Sequence, residues 1–352
     1  MNYALDDILK EANEAAVYNL YLYLTHIIQP AENTRFQSII SDLEFNFKKQ
    51  TINTWNSRDI YRLSILINAV KHSPFLMNSK INNLTVSRSG LTACSFTNQN
   101  GNIYVVFKGT GEGEWIDNGE GLSGVSEENT YITYTKNGAE LSSETVERDY
   151  ATDQQVEALN WFNHAAAKNR WTKDNRIILS GHSKGGNKAQ FIAIHSDLID
   201  NCYSFNGQGF SPEALVSFEL QYGEKFEERR QNIYSLSTDN DYVNVLGERL
   251  IPKTNIYYFE SHMGLHYLEA MLNANGRFNR QSEQGELSRY VESVSQKLMN
   301  LESRIRKYAT LGVMNIFQRF LGEGIPVNRD RVSIEQTVMG MGIAIDLLLH
   351  QL

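Results

Sequence analysis

The chain has 352 residues, 41% hydrophobic and 21% charged, with 24 glycines, 5 prolines and 2 cysteines, which excludes collagen-like, rod-like and fully disordered classes. The 33 lysines and arginines fall short of 41 aspartates and glutamates, leaving a net charge of −8. No overall positive field exists to gather phosphate backbones, so nucleic acid is not an expected partner.

Cys94 and Cys202 lie far apart and outside any C-x-x-C spacing, so neither a zinc knuckle nor a disulfide framework is suggested. At the N-terminus Asp6 and Asp7 stand where a signal peptide carries positive charge, and no such signal is expected. The most apolar stretch, Val338 to Leu349, is interrupted by Asp346 and is shorter than the roughly 20 residues a membrane span needs. The expected compartment is the cytoplasm by default, with leaderless secretion left open.

Leu5, Ile8, Leu9, Ala12, Ala16, Leu20, Leu24 and Ile27 recur at helical spacing and predict a helix over 4–28, closed by Pro30. Ile60, Leu63, Ile67 and Val70 predict a second over 58–71, ending before Pro74. From Leu84 the period becomes two. LTVSRSG, LTACSFTNQNG and NIYVVFKGT read as an antiparallel meander entering a sheet, and the all-apolar Ile103 to Phe107 reads as a central strand buried on both faces.

Residues 111–149 are polar, with glycines at 111, 113, 119, 121 and 124. They hold a predicted hairpin at TYITYTKNGAEL, turning on Asn137-Gly138. This is also the candidate position for a mobile lid. A helix capped by Thr152 or Asp153 follows, then a strand over 176–180. Strands at 202–206, 232–237 and 256–259 alternate with a helical piece near 211–222 and imply a mostly parallel sheet. Leu287, Val291, Val294, Leu298, Leu301, Ile305 and Tyr308 then step by four and three, a heptad-like seam. The helix over 285–320 is therefore a candidate surface for self-association or a protein partner. The expected division is a helical segment over 1–80, a catalytic domain over 81–280 and a helical extension over 281–352.

Gly181-His182-Ser183-Lys184-Gly185 has the G-x-S-x-G form, with a strand before it and a helix after. A serine in a sharp strand-to-helix turn stands above the sheet beside the positive end of the helix, where an oxyanion is stabilised. Its hydroxyl needs a histidine base and an orienting acid. Of the later histidines, His195 sits too far along the serine's own helix and His350 on an apolar terminal stretch, which leaves His262 and His266. Asp239 and Asp241, just past a strand, are the acid candidates; either could instead be an ordinary turn residue.

With VVFKGT at 105–110, Glu114-Trp115-Ile116-Asp117-Asn118, GHSKGG, Asn240-Asp241-Tyr242-Val243, and His262 followed by Tyr267-Leu268, the chain resembles the fungal-type class 3 lipases. It looks closest to a bacterial, largely uncharacterised lipase-like branch with the same GHSKGG elbow, and FNGQGF at 205–210 resembles a stretch that follows the elbow there. The resemblance covers about residues 84–272. It implies an α/β-hydrolase fold and a serine ester hydrolase, whether lipase, phospholipase or carboxylesterase, acting on a lipid or other acyl ester without a cofactor. It implies Ser183 as nucleophile, Asp241 as acid and His262 as base, with His266 and Asp239 as alternates. The backbone N–H groups of Thr110 and Lys184 would line the oxyanion hole, and Trp115 and Asp117 would brace its loop. Lys108 departs from the arginine common at that place. No metal-ligand spacing is evident, and transient contact with a membrane surface is compatible with such a substrate. The alternative is a non-catalytic lipase-fold module that docks a partner through the C-terminal helices.

Overall fold

The computed structural model describes residues 5–49, 55–87, 89–111, 114–262, 266–321 and 334–349; Gly113 and His350 lie outside them. The chain opens with helices α1 (Leu5–Leu22), α2 (Phe36–Lys49), α3 (Ser57–Lys71) and the short α4 (Pro74–Asn78). Strands β1 (Lys80–Val86), β2 (Thr92–Thr97) and β3 (Ile103–Phe107) follow, then α5 (Trp115–Ser123) and the pair β4 (Glu127–Tyr134) and β5 (Glu140–Asp149). Next come α6 (Asp153–Asn169), β6 (Ile177–His182), α7 (Lys184–His195), β7 (Asn201–Phe205), α8 (Pro212–Tyr222), α9 (Glu224–Arg230), β8 (Ile233–Thr238), β9 (Ile256–Phe259) and the two-residue β10 (Gln281–Ser282). Helices α10 (Glu286–Met299), α11 (Ser303–Leu321) and α12 (Ile334–Leu349) close the chain.

The eight-stranded sheet has the order β1-β2-β3-β6-β7-β8-β9-β10. β1 to β3 form an antiparallel meander, β3 through β9 pair in parallel, and β10 returns antiparallel. This is a mixed α/β fold with a mostly parallel central sheet. Because side chains alternate along a strand, Tyr104, Val106 and Ile178 face one core with α1, α2 and α3, while Ile103, Val105, Phe107, Ile177 and Leu179 face another with α6 and α7. The N-terminal helices thus supply one full layer of the sheet's covering. No described helix is long and apolar enough to cross a membrane.

Three expectations need correction. The first predicted helix ends at Leu22, and the chain turns through residues 23–27 before Pro30. Residues 115–123, read as part of a polar, glycine-rich stretch, form the largely buried helix α5, while the expected hairpin is present as β4 and β5, a two-stranded sheet around the turn with Gly138 at φ 78°. The seam over 285–320 is two helices broken between Asn300 and Glu302. Buried Arg306 explains the break, since its guanidinium donates to the carbonyls of Met299 at 2.6 Å and Leu301 at 3.3 Å, taking up acceptors that the end of α10 would otherwise leave open.

Candidate active site

β6 runs straight into α7 through Ser183, whose φ of 57° and ψ of −126° lie in the sterically strained positive-φ half of the map. Such a conformation costs roughly 1–3 kcal/mol in a non-glycine residue and persists only where the surroundings impose it. Here they are close: a Cβ on Gly181 would overlap the backbone of Gly185, and one on Gly185 would overlap the carbonyl of Phe107. Glycine at both positions lets strand, turn and helix approach closely enough to force the serine into that state.

Ser183 Oγ lies 2.8 Å from Nε2 of His266, and Nδ1 of His266 lies 2.6 Å from Oδ1 of Asp241. Asp241 follows β8 and is fully buried. Its other oxygen accepts from the backbone N–H groups of Val243 at 3.2 Å and Asn244 at 2.7 Å. The carboxylate is therefore satisfied on both sides and aimed at the imidazole. Since Nδ1 faces a carboxylate, it carries the proton, which leaves the Nε2 lone pair to receive the serine hydroxyl.

The structure brings His266, and not His262, to Ser183. His262 is exposed, just past β9, where its N–H pairs with the carbonyl of Ala270 at 3.4 Å. His266, just before the buried 3₁₀ turn Leu268–Met271, stands beside Ser183. Asp239 is also not at the site: its Oδ1 accepts from Asn240 N–H at 2.9 Å, and its carbonyl accepts from Gly285 N–H just before α10.

The candidate oxyanion loop lies alongside. A Cβ on Gly109 would stand 3.1 Å from Ser183 Cβ, so the next residue, Thr110, is next to the elbow. Thr110 Oγ1 accepts from the Asn118 side chain at 3.0 Å, and Gly111 N–H donates to Glu114 Oε2 at 2.5 Å. Lys184 opens α7, where its backbone N–H has no partner inside the helix.

Helix α5 and its N-cap residue Glu114 tie this loop to α7 by two buried ion pairs, Lys184 with Asp117 and Lys188 with Glu114. Asp117 also accepts from Thr152 Oγ1 at 2.8 Å and from Gln154 N–H at 3.1 Å. In the FNGQGF stretch, Gln208 donates to the carbonyl of Asn118 at 3.0 Å. Lys108 lies 5.5 Å from the centroid of the Tyr23 ring.

Sequence reasoning passed over Tyr23, His182 and Lys188, of which only the GHSKGG motif gave any signal. His182 Nδ1 is 2.6 Å from the Tyr23 hydroxyl, and its Nε2 is 3.1 Å from the His266 carbonyl. Burial first, and then the neighbouring His266 imidazole and Arg62 guanidinium, hold the His182 imidazole well below its ordinary range, so it is neutral.

Among the described residues, no group of three or more His, Cys, Asp or Glu is placed to hold a metal ion. A family model described as Mbeg1-like matches residues 144–235, a span that includes the elbow. A solved structure titled "Crystal structure of M37 lipase" aligns over 69% of this chain and 70% of its own, with 13% identity and a TM-score of 0.30. No curated protein matches the chain.

Proposed function

We propose that the chain is a serine hydrolase of the α/β-hydrolase type that cleaves a hydrophobic carboxylic ester through an acyl-enzyme. The observation that carries this reading is the continuous chain from Ser183 Oγ through His266 to Asp241, at 2.8 and 2.6 Å. It supports His266 as the base, in place of His262.

The steps follow from the donors and acceptors present. His266 Nε2 takes the Ser183 proton as Oγ attacks the ester carbonyl carbon, and Asp241 steadies the imidazolium that forms. The resulting oxyanion meets the N–H groups of Thr110 and Lys184, each such donor being worth about 2.7–4 kcal/mol in the transition state. Thr110 Oγ1 accepts from Asn118, which leaves its own proton free to donate as well. Collapse expels the alcohol, which takes the proton from His266. A water molecule then gives a proton to His266, attacks the acyl carbon and releases the carboxylic acid and free serine. The resemblance of the motif segments to class 3 lipases favours a lipid or other hydrophobic acyl ester.

The test is a fluorophosphonate probe with peptide mapping, alongside hydrolysis of p-nitrophenyl esters of graded acyl length. Labelling on Ser183 and a loss of turnover on the order of 10⁶-fold in Ser183→Ala are expected. A folded wild-type protein that neither labels nor turns over any ester would overturn the reading and leave the partner-docking alternative.

A further inference from the structure

The hydrogen bonds around His182 assign it a task separate from its place in the elbow motif. Its Nε2 faces a carbonyl oxygen, that of His266, and a carbonyl only accepts. The neutral ring therefore carries its proton on Nε2 and presents a lone pair at Nδ1, which the Tyr23 hydroxyl fills at 2.6 Å. The Tyr23 hydroxyl also abuts Gly109 of the candidate oxyanion loop, where a Cβ would stand only 2.7 Å from its oxygen. The two imidazoles lie 5.0 Å apart, centroid to centroid, and His182 is 5% exposed.

Tyr23 is itself braced. The Arg62 guanidinium lies over its ring at 4.4 Å, and Arg58 lies over the ring of Tyr267 at 3.5 Å. Both arginines reach Glu269 Oε1 at 3.1 Å, in the buried turn just after His266. The segment that carries His266 is thus gripped at three successive places, the His266 carbonyl, the Tyr267 ring and the Glu269 carboxylate. Apart from His182, every gripping residue comes from the N-terminal helical segment.

We infer that His182 is a positioning residue for His266: its Nε2–H fixes the His266 backbone, and Tyr23 selects the tautomer that lets it do so. The inference rests on the hydrolase reading. A donor aimed at the main chain sets where the imidazole stands relative to Ser183 without touching substrate. Loss of that donor displaces the base while leaving substrate contacts in place, so turnover falls and KM does not. Displacement by about 1 Å in such a site costs on the order of 10²-fold in rate.

The experiment compares His182→Leu, His182→Gln and Tyr23→Phe in the full chain, by ester kinetics, rate of Ser183 phosphonylation and ¹⁵N shifts of the ring nitrogens. His182→Leu should lose about 10²-fold in kcat at unchanged KM. His182→Gln should recover most of that loss, because its amide nitrogen falls near the position of Nε2 and can donate to the same carbonyl. In the wild type the ¹⁵N spectrum should show His182 as the Nε2–H tautomer, and in Tyr23→Phe that tautomer should lose its dominance, with a drop in phosphonylation rate. Equal impairment of the leucine and glutamine variants would overturn the inference, as would an Nδ1–H tautomer in the wild type. If His182→Leu fails to fold, the glutamine variant's retained turnover and the tautomer carry the decision. A wild type that never labels at Ser183 defeats the hydrolase reading and the positioning role with it, whereas labelled variants with wild-type kcat defeat the positioning role alone.

Discussion

Lys188→Met isolates the buried clamp between α5 and α7. The Lys188 and Glu114 side chains are 1% and 0% exposed, so both charges have left water and each is compensated chiefly by the other. Methionine keeps much of the unbranched stem and its packing, so the change falls mainly on the charge. Afterwards Glu114 keeps the Gly111 N–H at 2.5 Å, one donor for a buried carboxylate. Removing one partner of such a pair costs about 3–5 kcal/mol. Adding Glu114→Gln removes the uncompensated charge while keeping an acceptor for Gly111, so the double variant should cost at least about 2 kcal/mol less than the sum of the single ones. Urea unfolding followed by circular dichroism reads this as shifts in midpoint at constant m-value. A single variant within about 1 kcal/mol of wild type, or strictly additive losses, would refute the view that α5 is held by paired buried charge.

Two further outcomes follow from the placed histidines. His266→Ala should remove ester turnover by about the same factor as Ser183→Ala, on the order of 10⁶-fold, while His262→Ala, at an exposed residue, should leave kcat at the wild-type value. Comparable losses in both would reject the assignment of the base. His195 packs its ring 3.9 Å from Phe191 and edge-on to Phe218 and Tyr222, and burial pushes its imidazole down to about 4. A folded value below the unfolded one means that the unfolded chain binds more protons between roughly pH 6.5 and 4. Stability is then fully present above about 6.5 and falls toward 4, by up to about 3 kcal/mol. His195→Phe should flatten that slope in urea midpoints taken at pH 7 and pH 5, and an unchanged slope would refute it.

What the sequence made legible was local. The elbow could be read because Gly181 and Gly185 answer a steric demand set within five residues, and the central strand because β3 is apolar without a break. The acid could be narrowed to two residues because a turn after a strand is a short-range feature. The base could not be fixed, because His262 and His266 sit on one irregular segment, and which one meets Ser183 depends on how the chain curls from β9 into the buried turn at Leu268. No periodicity reports such a path. The seam beyond 285 misled for a related reason. Its four-and-three spacing continues through residues 300–302, while the break is imposed by Arg306 reaching back to the carbonyls of Met299 and Leu301. α2 was missed because its apolar positions are diluted by polar ones, and its burial comes from packing beside α3 and against rings of α1 and β2.

The helices at the two ends of the chain are built into the two halves of the candidate site. On one side, Tyr23, Arg58 and Arg62 from the N-terminal segment reach the chain around His266. On the other, α11 packs so closely on α5 that a Cβ on Gly119 would meet the carbonyl of Thr310 at 3.0 Å and Leu311 at 3.1 Å, and Arg306 donates to the carbonyl of Ser123 at 3.1 Å while pairing with Glu213. Glu114, which caps α5, and Asn118 within it in turn hold Gly111 and Thr110. The proposed base is thus braced from the N-terminal side and the candidate oxyanion loop from the C-terminal side. They meet at Tyr23, whose hydroxyl bonds His182 and abuts Gly109. A catalytic geometry fixed to within a few tenths of an ångström needs supports that are themselves locked by packing. In this chain both terminal segments supply that support, so removing either should be felt in turnover before any substrate contact is lost.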